Sequence, residues 1–227
     1  MPVVIGGCGC RDEGGKVTET SKPLGLRERQ RRAIEADLRA AALKLFGERG
    51  FDEVSVAEIA AEAGISERTF FRHFPTKEDV VLTLMEGYGL DIICRLESQP
   101  LDRPWFDILR DTYTGAYDVE VTMTGERSEE LRRSTAQVMK LAQGSARLRA
   151  GIDARARSWQ DDIAQIVAHR LGVDVDQDPR PRVWGAVAIV VGMANAERRA
   201  AIEGSLEASP AEAWDALAEL LRPPTGS

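Results

Sequence analysis

Between Gly50 and Asp79 the chain spells two short helices around a glycine turn, and this pattern constrains the fold more than any other. Ser55 is placed to cap the first helix, with Glu58 three residues on to complete a capping box. Val56, Ile59, Ala60 and Ala63 then recur at helical spacing. Gly64 stands where a helix end requires a left-handed residue. Ser66 caps the second helix, whose turn exposes Glu67, Arg68, Thr69, Arg72 and His73 while Ile65, Phe70 and Phe74 face inward. A helix, a tight glycine turn and a short polar-faced helix make a helix-turn-helix, the unit that reads bases from a major groove.

The rest of the chain is also helical in pattern. A first helix is expected from about Leu26 to Arg49, with Ile34, Leu38, Ala41, Ala42, Leu45 and Phe46 as its apolar stripe and Gly50 as its end. Thr76 and Asp79 open a fourth helix that runs to about Gln99 and Pro100, with Gly87 and Gly89 as a place to bend. Four or five further helices follow, the last opened by Ser209, Pro210 and Glu212. No β-alternation persists and no internal repeat is visible. The expected fold is all-α, in three parts: a disordered N-terminal tail over residues 1–21, a helix-turn-helix head over 22–77 and a helical body over 78–227.

The net charge of −7 is unusual for a protein that binds a polyanion, so its distribution matters. Residues 78–227 hold seventeen basic and twenty-five acidic groups, whereas residues 22–77 hold eleven basic and nine acidic ones. Lys22 to Arg32 carries five basic groups against Glu28 alone. The acidity thus lies in the body, and the head retains a local basic arm suited to phosphate. Three cysteines, at 8, 10 and 94, do not make a disulfide framework. Cys8 and Cys10 lack the further ligands a zinc site needs. No apolar run reaches a membrane span, and no signal peptide is visible, so the expected compartment is the cytoplasm.

With the motif set out, residues 34–82 resemble the DNA-binding head of the TetR family of bacterial transcriptional repressors. The resemblance runs through Ala42 to Phe46, Gly50 and Phe51, Ser55, Ile59 and Ala60, Ala63 to Ser66, Thr69 to Phe71, Phe74, and Lys77 and Glu78. It implies a homodimer, a palindromic operator of double-stranded DNA and a ligand that releases it. The stretch from Thr69 to Asp79 is similar to members whose bodies bind acyl-CoA-like ligands, the regulator of mycofactocin clusters among them. Two positions depart from the family pattern. Phe71 replaces the usual tyrosine, so a hydroxyl contact to phosphate is lost and packing on a thymine methyl or sugar remains. Arg68 replaces a small residue, and its fork matches guanine O6 and N7.

Arg68 and Arg72 lie one turn apart on one face and are the candidates for base edges. Thr69 and His73 on the adjacent face, with Lys77, are the candidates for phosphates. Glu67 either accepts from a cytosine N4 or complements the helix dipole. Arg27 and Arg29 are either an ordinary charged helix start or part of a DNA-binding arm, and Ser55 and Ser66 complete the DNA-binding set. In the body, Trp105, Phe106, Tyr113, Tyr117, Met139, Trp159 and Trp184 either pack a core or line an apolar ligand pocket. Asn195 interrupts an apolar stretch and needs a partner, a ligand or a dimer-related backbone. The small residues between Val183 and Ala201, with the Trp214 helix, suggest a four-helix dimer interface. No phosphate loop, nucleophile elbow or paired-histidine helix is present, so neither an enzyme nor a cofactor is expected. The reading is a ligand-responsive repressor. The alternative is a metabolite-sensing protein-interaction module with a non-functional DNA head.

Overall fold

The computed structural model describes residues 25–100, 102–115, 125–202 and 209–222, with the backbone alone described for residues 125–129. Among these the elements are all α-helical: α1 (Leu26–Arg49), α2 (Val56–Glu62), α3 (Glu67–His73), α4 (Asp79–Ser98), α5 (Trp105–Thr114), α6 (Gly125–Ala142), α7 (Ala146–Leu171), α8 (Pro179–Ala201) and α9 (Glu212–Leu220). The N-terminal tail, with Cys8 and Cys10, lies outside the described residues.

The head forms where the sequence places it. α1 stops at Gly50, whose φ of 86° lies in the region that glycine tolerates best. Ser55 accepts from the Glu58 amide, and the Glu58 carboxylate accepts from both the amide and the hydroxyl of Ser55. The capping box is therefore complete. Gly64 takes a φ of 69° in the turn, and Ser66 accepts from the Thr69 amide to start α3. Leu38, Ala42, Phe46, Phe51, Ile59, Phe70 and Phe74 close the core between the three helices.

That core does not stop at the head. Val80, Val81, Leu82 and Met85 of α4 belong to it, and so do Val138 and Met139 of α6 and Leu148 and Ile152 of α7. A second core joins the later half of α4 to α5, α7, α8 and α9 around Leu96, Leu109, Ile163, Val191 and Trp214. α4 thus runs through both cores, as do α7 and α8. Polar contacts fasten it to α7 at each end. Arg155 of α7 reaches Asp79 at 3.2 Å and also pairs with Glu86. Arg170 donates to the carbonyls of Leu96, Glu97 and Gln99, satisfying the open end of α4. Gly87 and Gly89 do not interrupt α4. Their missing side chains make room instead: a Cβ on Gly87 would stand 2.8 Å from Leu131, and one on Gly89 2.5 Å from the Trp159 ring.

The capping box gives the head an acid-sensitive element. Hydrogen bonds from the amide and hydroxyl of Ser55, then from Arg49, hold the Glu58 carboxyl at about 2, below its ordinary 4.5. A depressed folded-state value contributes stability that is fully present above 4.5 and is lost as pH falls toward 2. The thermal midpoint is therefore expected to fall across that window, and Glu58→Gln should flatten the fall. A Glu58→Gln profile with the same slope would count against the assignment.

Candidate nucleic-acid interface and internal cavity

α3 presents one continuous outer face. Glu67, Arg68, Phe71 and Arg72 are exposed, Phe71 to 50% despite its apolar ring. Phe70, directly beneath, is fully buried and meets the Phe71 ring edge-on at 5.4 Å. The helix is thus seated by one phenylalanine while its neighbour is turned outward. Thr69 is half-buried, and its hydroxyl is 3.0 Å from that of Ser66, so the two start the helix together. Arg27 and Arg29 are exposed on the first turn of α1, where Arg31 and Arg32 pair with Glu28.

Two residues assigned to phosphates on sequence spacing are placed otherwise. The His73 side chain is only 5% exposed, and its Nδ1 lies 3.4 Å from Glu35 of α1. Glu35 also meets Arg31 and Arg39, each at 3.6 Å. His73 therefore fastens α3 to α1 rather than facing outward. Lys77 turns its ammonium inward, donating to the carbonyls of Phe51 at 2.8 Å and Val54 at 2.9 Å. It also sits over the Phe51 ring at 4.4 Å. It closes the loop between α1 and α2, whose carbonyls would otherwise lack donors.

In the body, an apolar cavity of about 40 Å³ lies between α4, α5, α6, α7 and α8. Tyr113 and Trp159, both singled out in the sequence, line it. Met85, Tyr88 and Ile92 of α4 and Ile189, Gly192 and Met193 of α8 form much of the remaining wall. The methionine and glycine positions had a signal in their composition, but the α4 residues were legible only as a helix face. Among the described residues, no charged side chain lines the cavity. Burial drives the Tyr113 hydroxyl strongly upward and Tyr88 up to about 12, the nearby Arg132 and Arg199 opposing the latter shift. Both are neutral phenols at physiological pH, able to donate a hydrogen bond.

The other body candidates fall elsewhere. Met139 packs in the core that joins head and body. Trp105, Phe106 and Trp184 pack against the second core, where Phe106 meets Trp214 edge-on. Asn195 donates to the Pro210 carbonyl at 2.9 Å, so its partner is the segment leading into α9. Tyr117 lies outside the described residues. The small residues of α8 also serve a use not anticipated. A Cβ on Gly185 would stand 2.6 Å from the Gln160 carbonyl of α7, and one on Gly192 would stand 2.6 Å from Tyr113. They admit close packing within the subunit. Trp214 itself is fully buried, while Leu220 at the end of its helix and Leu221 just beyond are exposed. Val183 and Val190, seven residues apart on α8, are the exposed apolar side chains of that helix.

The profile of bacterial regulatory proteins of the tetR family matches residues 38–84, and that of the MftR C-terminal domain matches residues 116–222. The HTH-type transcriptional regulator TcmR of Streptomyces glaucescens is 32% identical over 172 residues, 74% of each chain. YuxN of Bacillus subtilis is 38% identical over 63 residues, 28% of this chain and 20% of that one. Among solved structures, Thermus thermophilus FadR in complex with lauroyl-CoA aligns with a TM-score of 0.49 and 25% identity, over 85% of this chain and 99% of that one. The chain belongs to the TetR family of bacterial transcriptional regulators. Proteins of this family bind operator DNA through the helix-turn-helix, form dimers and usually respond to small ligands.

The placement of Lys77 separates stability from DNA contact. Lys77→Met should destabilise the fold by about 1–3 kcal/mol, because two carbonyls lose a charged donor. The salt dependence of DNA binding should stay unchanged, since no phosphate contact is removed. Urea unfolding and DNA titration at several salt concentrations check both halves.

Proposed function

We propose that the chain is a ligand-responsive repressor that binds a palindromic operator as a dimer and leaves it when an apolar or acyl-chain effector fills the cavity. The observation that carries this reading is the path of α4. It leaves α3 after a connection of only five residues, Phe74 to Glu78, and from its second turn onward, from Met85 to Ile93, its side chains form a wall of the cavity. On this reading the head occupies residues 22–77 and the ligand-binding and dimerisation body residues 78–227.

The exposed face of α3 supports roles for its residues. Arg68 and Arg72 reach base edges, Phe71 packs on a thymine methyl or a sugar, and Glu67 accepts from a cytosine N4 or complements the helix dipole. Thr69, with Ser55 and Ser66 at the helix starts, and Arg27 and Arg29 on the arm, hold the backbone. The dimer brings two such helices to half-sites about 34–36 Å apart, or a multiple of that. Val183 and Val190 on the outer face of α8 favour that helix, packed on α7, as the bundle that meets its copy.

The cavity of about 40 Å³ has room for about three waters on the scale of ~10–15 Å³ for each. An effector must therefore enlarge it, and α4 cannot give way without carrying Val80 and Val81, which pack on the head. Displacing α4 changes the spacing of the two recognition helices. Reciprocity requires operator DNA to weaken effector binding by the same factor that effector weakens DNA binding, typically about 5–150-fold.

Two measurements test the reading. In a gel shift with the chain's own upstream region, Arg68→Ala should cost about 1–3 kcal/mol and relax preference at one operator position. Equal weakening on every operator variant would remove the base-reading role. A preformed DNA complex should then be released by a fatty acyl-CoA thioester and not by CoA lacking the acyl chain, with release blunted in Trp159→Ala. Release by both alike would refute the apolar-cavity mechanism.

A further inference from the structure

We infer that the effector carries an uncharged hydrogen-bond acceptor, a carbonyl or ether oxygen, within its apolar part, and that the hydroxyls of Tyr113 on α5 and Tyr88 on α4 donate to it inside the cavity. The inference rests on the cavity being the effector site.

Both tyrosines line the cavity. Tyr113 is only 4% exposed, and neither hydroxyl has a hydrogen-bond partner among the described residues. That sets them apart from the other hydroxyls nearby. Thr135, in the same wall, donates to the Leu131 carbonyl at 2.9 Å. Thr112, next to Tyr113 in the chain, donates to the Ile108 carbonyl at 2.7 Å. Each threonine uses its proton on its own helix. A tyrosine ring is too long and stiff to turn back on its own backbone, so a buried phenol needs a partner from elsewhere. Burying such a donor without one is unfavourable, and a ligand oxygen removes that cost.

The Tyr113 ring is fixed by what it touches. It tilts against the ring of the fully buried Trp214, with centroids 5.6 Å apart. Its edge lies along the bare backbone of α8 at Gly192, where a Cβ would stand 2.6 Å from Cε1 and 3.4 Å from the hydroxyl oxygen. Gly192 is itself part of the cavity wall. Tyr88 stands close by: after burial, it is the next influence raising the Tyr113 hydroxyl. Both phenols keep their protons at neutral pH, so both are donors there. A carbonyl oxygen has two lone pairs and accepts from both. Because the donors are placed before the ligand arrives, little ordering cost remains.

The surrounding wall sets the chemistry of the rest of the ligand. Met85, Ile92, Ile163, Ile189 and Met193 are apolar and face the same space. A carboxylate brought there exchanges its hydration for two neutral donors, which is far costlier than desolvating a ketone or ester carbonyl. An unbroken alkyl chain suits the apolar wall but leaves both phenols without an acceptor. A ketone, ester or thioester carbonyl on an apolar body satisfies both, and the oxygen then joins α4 to α5 through the ligand.

The test is titration of the full-length protein with acetophenone and with α-methylstyrene, which has the same shape but a methylene group in place of the carbonyl oxygen. Binding is read from the indole N–H NMR signal of Trp159, which lines the cavity, assigned with Trp159→Phe. The two ligands differ in hydration, so each is compared between proteins. The double variant Tyr88→Phe/Tyr113→Phe should bind acetophenone about 10-fold or more weakly than the natural protein does, the scale of two net hydrogen bonds. It should bind α-methylstyrene as before or more tightly. The single variants divide the effect between the two hydroxyls. The thermal midpoint of the unliganded double variant should hold or rise, because two buried donors without partners are gone. A clear fall would place those hydroxyls in structural bonds and overturn the inference. Equal weakening of both ligands in the folded double variant, or no loss for acetophenone, would overturn it and leave the apolar cavity standing. So would tighter binding of benzoate than of acetophenone by the natural protein. Absence of binding by all three ligands would overturn both the inference and the cavity reading beneath it.

Discussion

The first two turns of α4 are where this architecture is decided. Val80, Val81 and Met85 are almost wholly buried, and they are buried against the head and the body at once. A hinge between two independent domains would show polar or small residues at the crossing, with separate cores on either side. Here one apolar cluster runs from Phe46 through Val81 to Val138 and Leu148. Burying a side chain of this kind is worth about 1.5–3 kcal/mol, so moving α4 independently of either partner is costly. The same helix is held on α7 by Arg155 at its start and Arg170 at its end. A displacement anywhere along α4 is transmitted because both of its ends are tied.

The polar residues of the head divide into those that build it and those that remain exposed. Glu58, Lys77, His73 and Glu35 are consumed by caps, carbonyls and one another. Their shared effect is rigidity, since α3 is only seven residues long and too short to hold its shape alone. Phe70 and Phe74 anchor it from below, and Arg39 lies over the Phe74 ring at 5.5 Å while pairing with Glu35. What is left for recognition is a small set of long side chains on a fixed helix. Preorganisation of this kind lowers the ordering cost of binding.

Local features of the fold are legible in the sequence because their partners lie within a few residues. The capping box at Ser55 and Glu58, the glycine turn at Gly64 and the end of α1 at Gly50 each depend on contacts of six residues or fewer. Long-range partners were not legible. Helical spacing puts His73 on a polar face, but Glu35, 38 positions earlier, takes it. Lys77 looks like a phosphate ligand until the carbonyls of Phe51 and Val54 are brought beneath it. The small residues of α8 correctly announced a close approach, yet they could not say to what. Gly185 and Gly192 admit α7 and Tyr113 of the same chain. Of the aromatic candidates, Tyr113 and Trp159 reach the cavity because α5 and α7 bring them there, while Trp105, Phe106 and Trp184 pack against the neighbouring core.

The size of the cavity bears on how strongly an effector can act. A preformed pocket of several hundred cubic ångströms would accept a ligand with little strain, and a ligand that binds both states equally shifts neither. A cavity of about 40 Å³ favours a different balance. Trp159 rests where a side chain on Gly89 would be, and Tyr113 rests where one on Gly192 would be, so the walls touch across the glycines. On the proposed reading, an effector would enter by separating those walls and would bind the separated state better than the narrow one. That difference in affinity would be the free energy available for moving α4 on the proposed reading, and it would be largest when the unliganded cavity is narrowest. The glycines of α4 and α8 would then set the coupling, because they let Trp159 and Tyr113 approach so closely that a ligand has to part them.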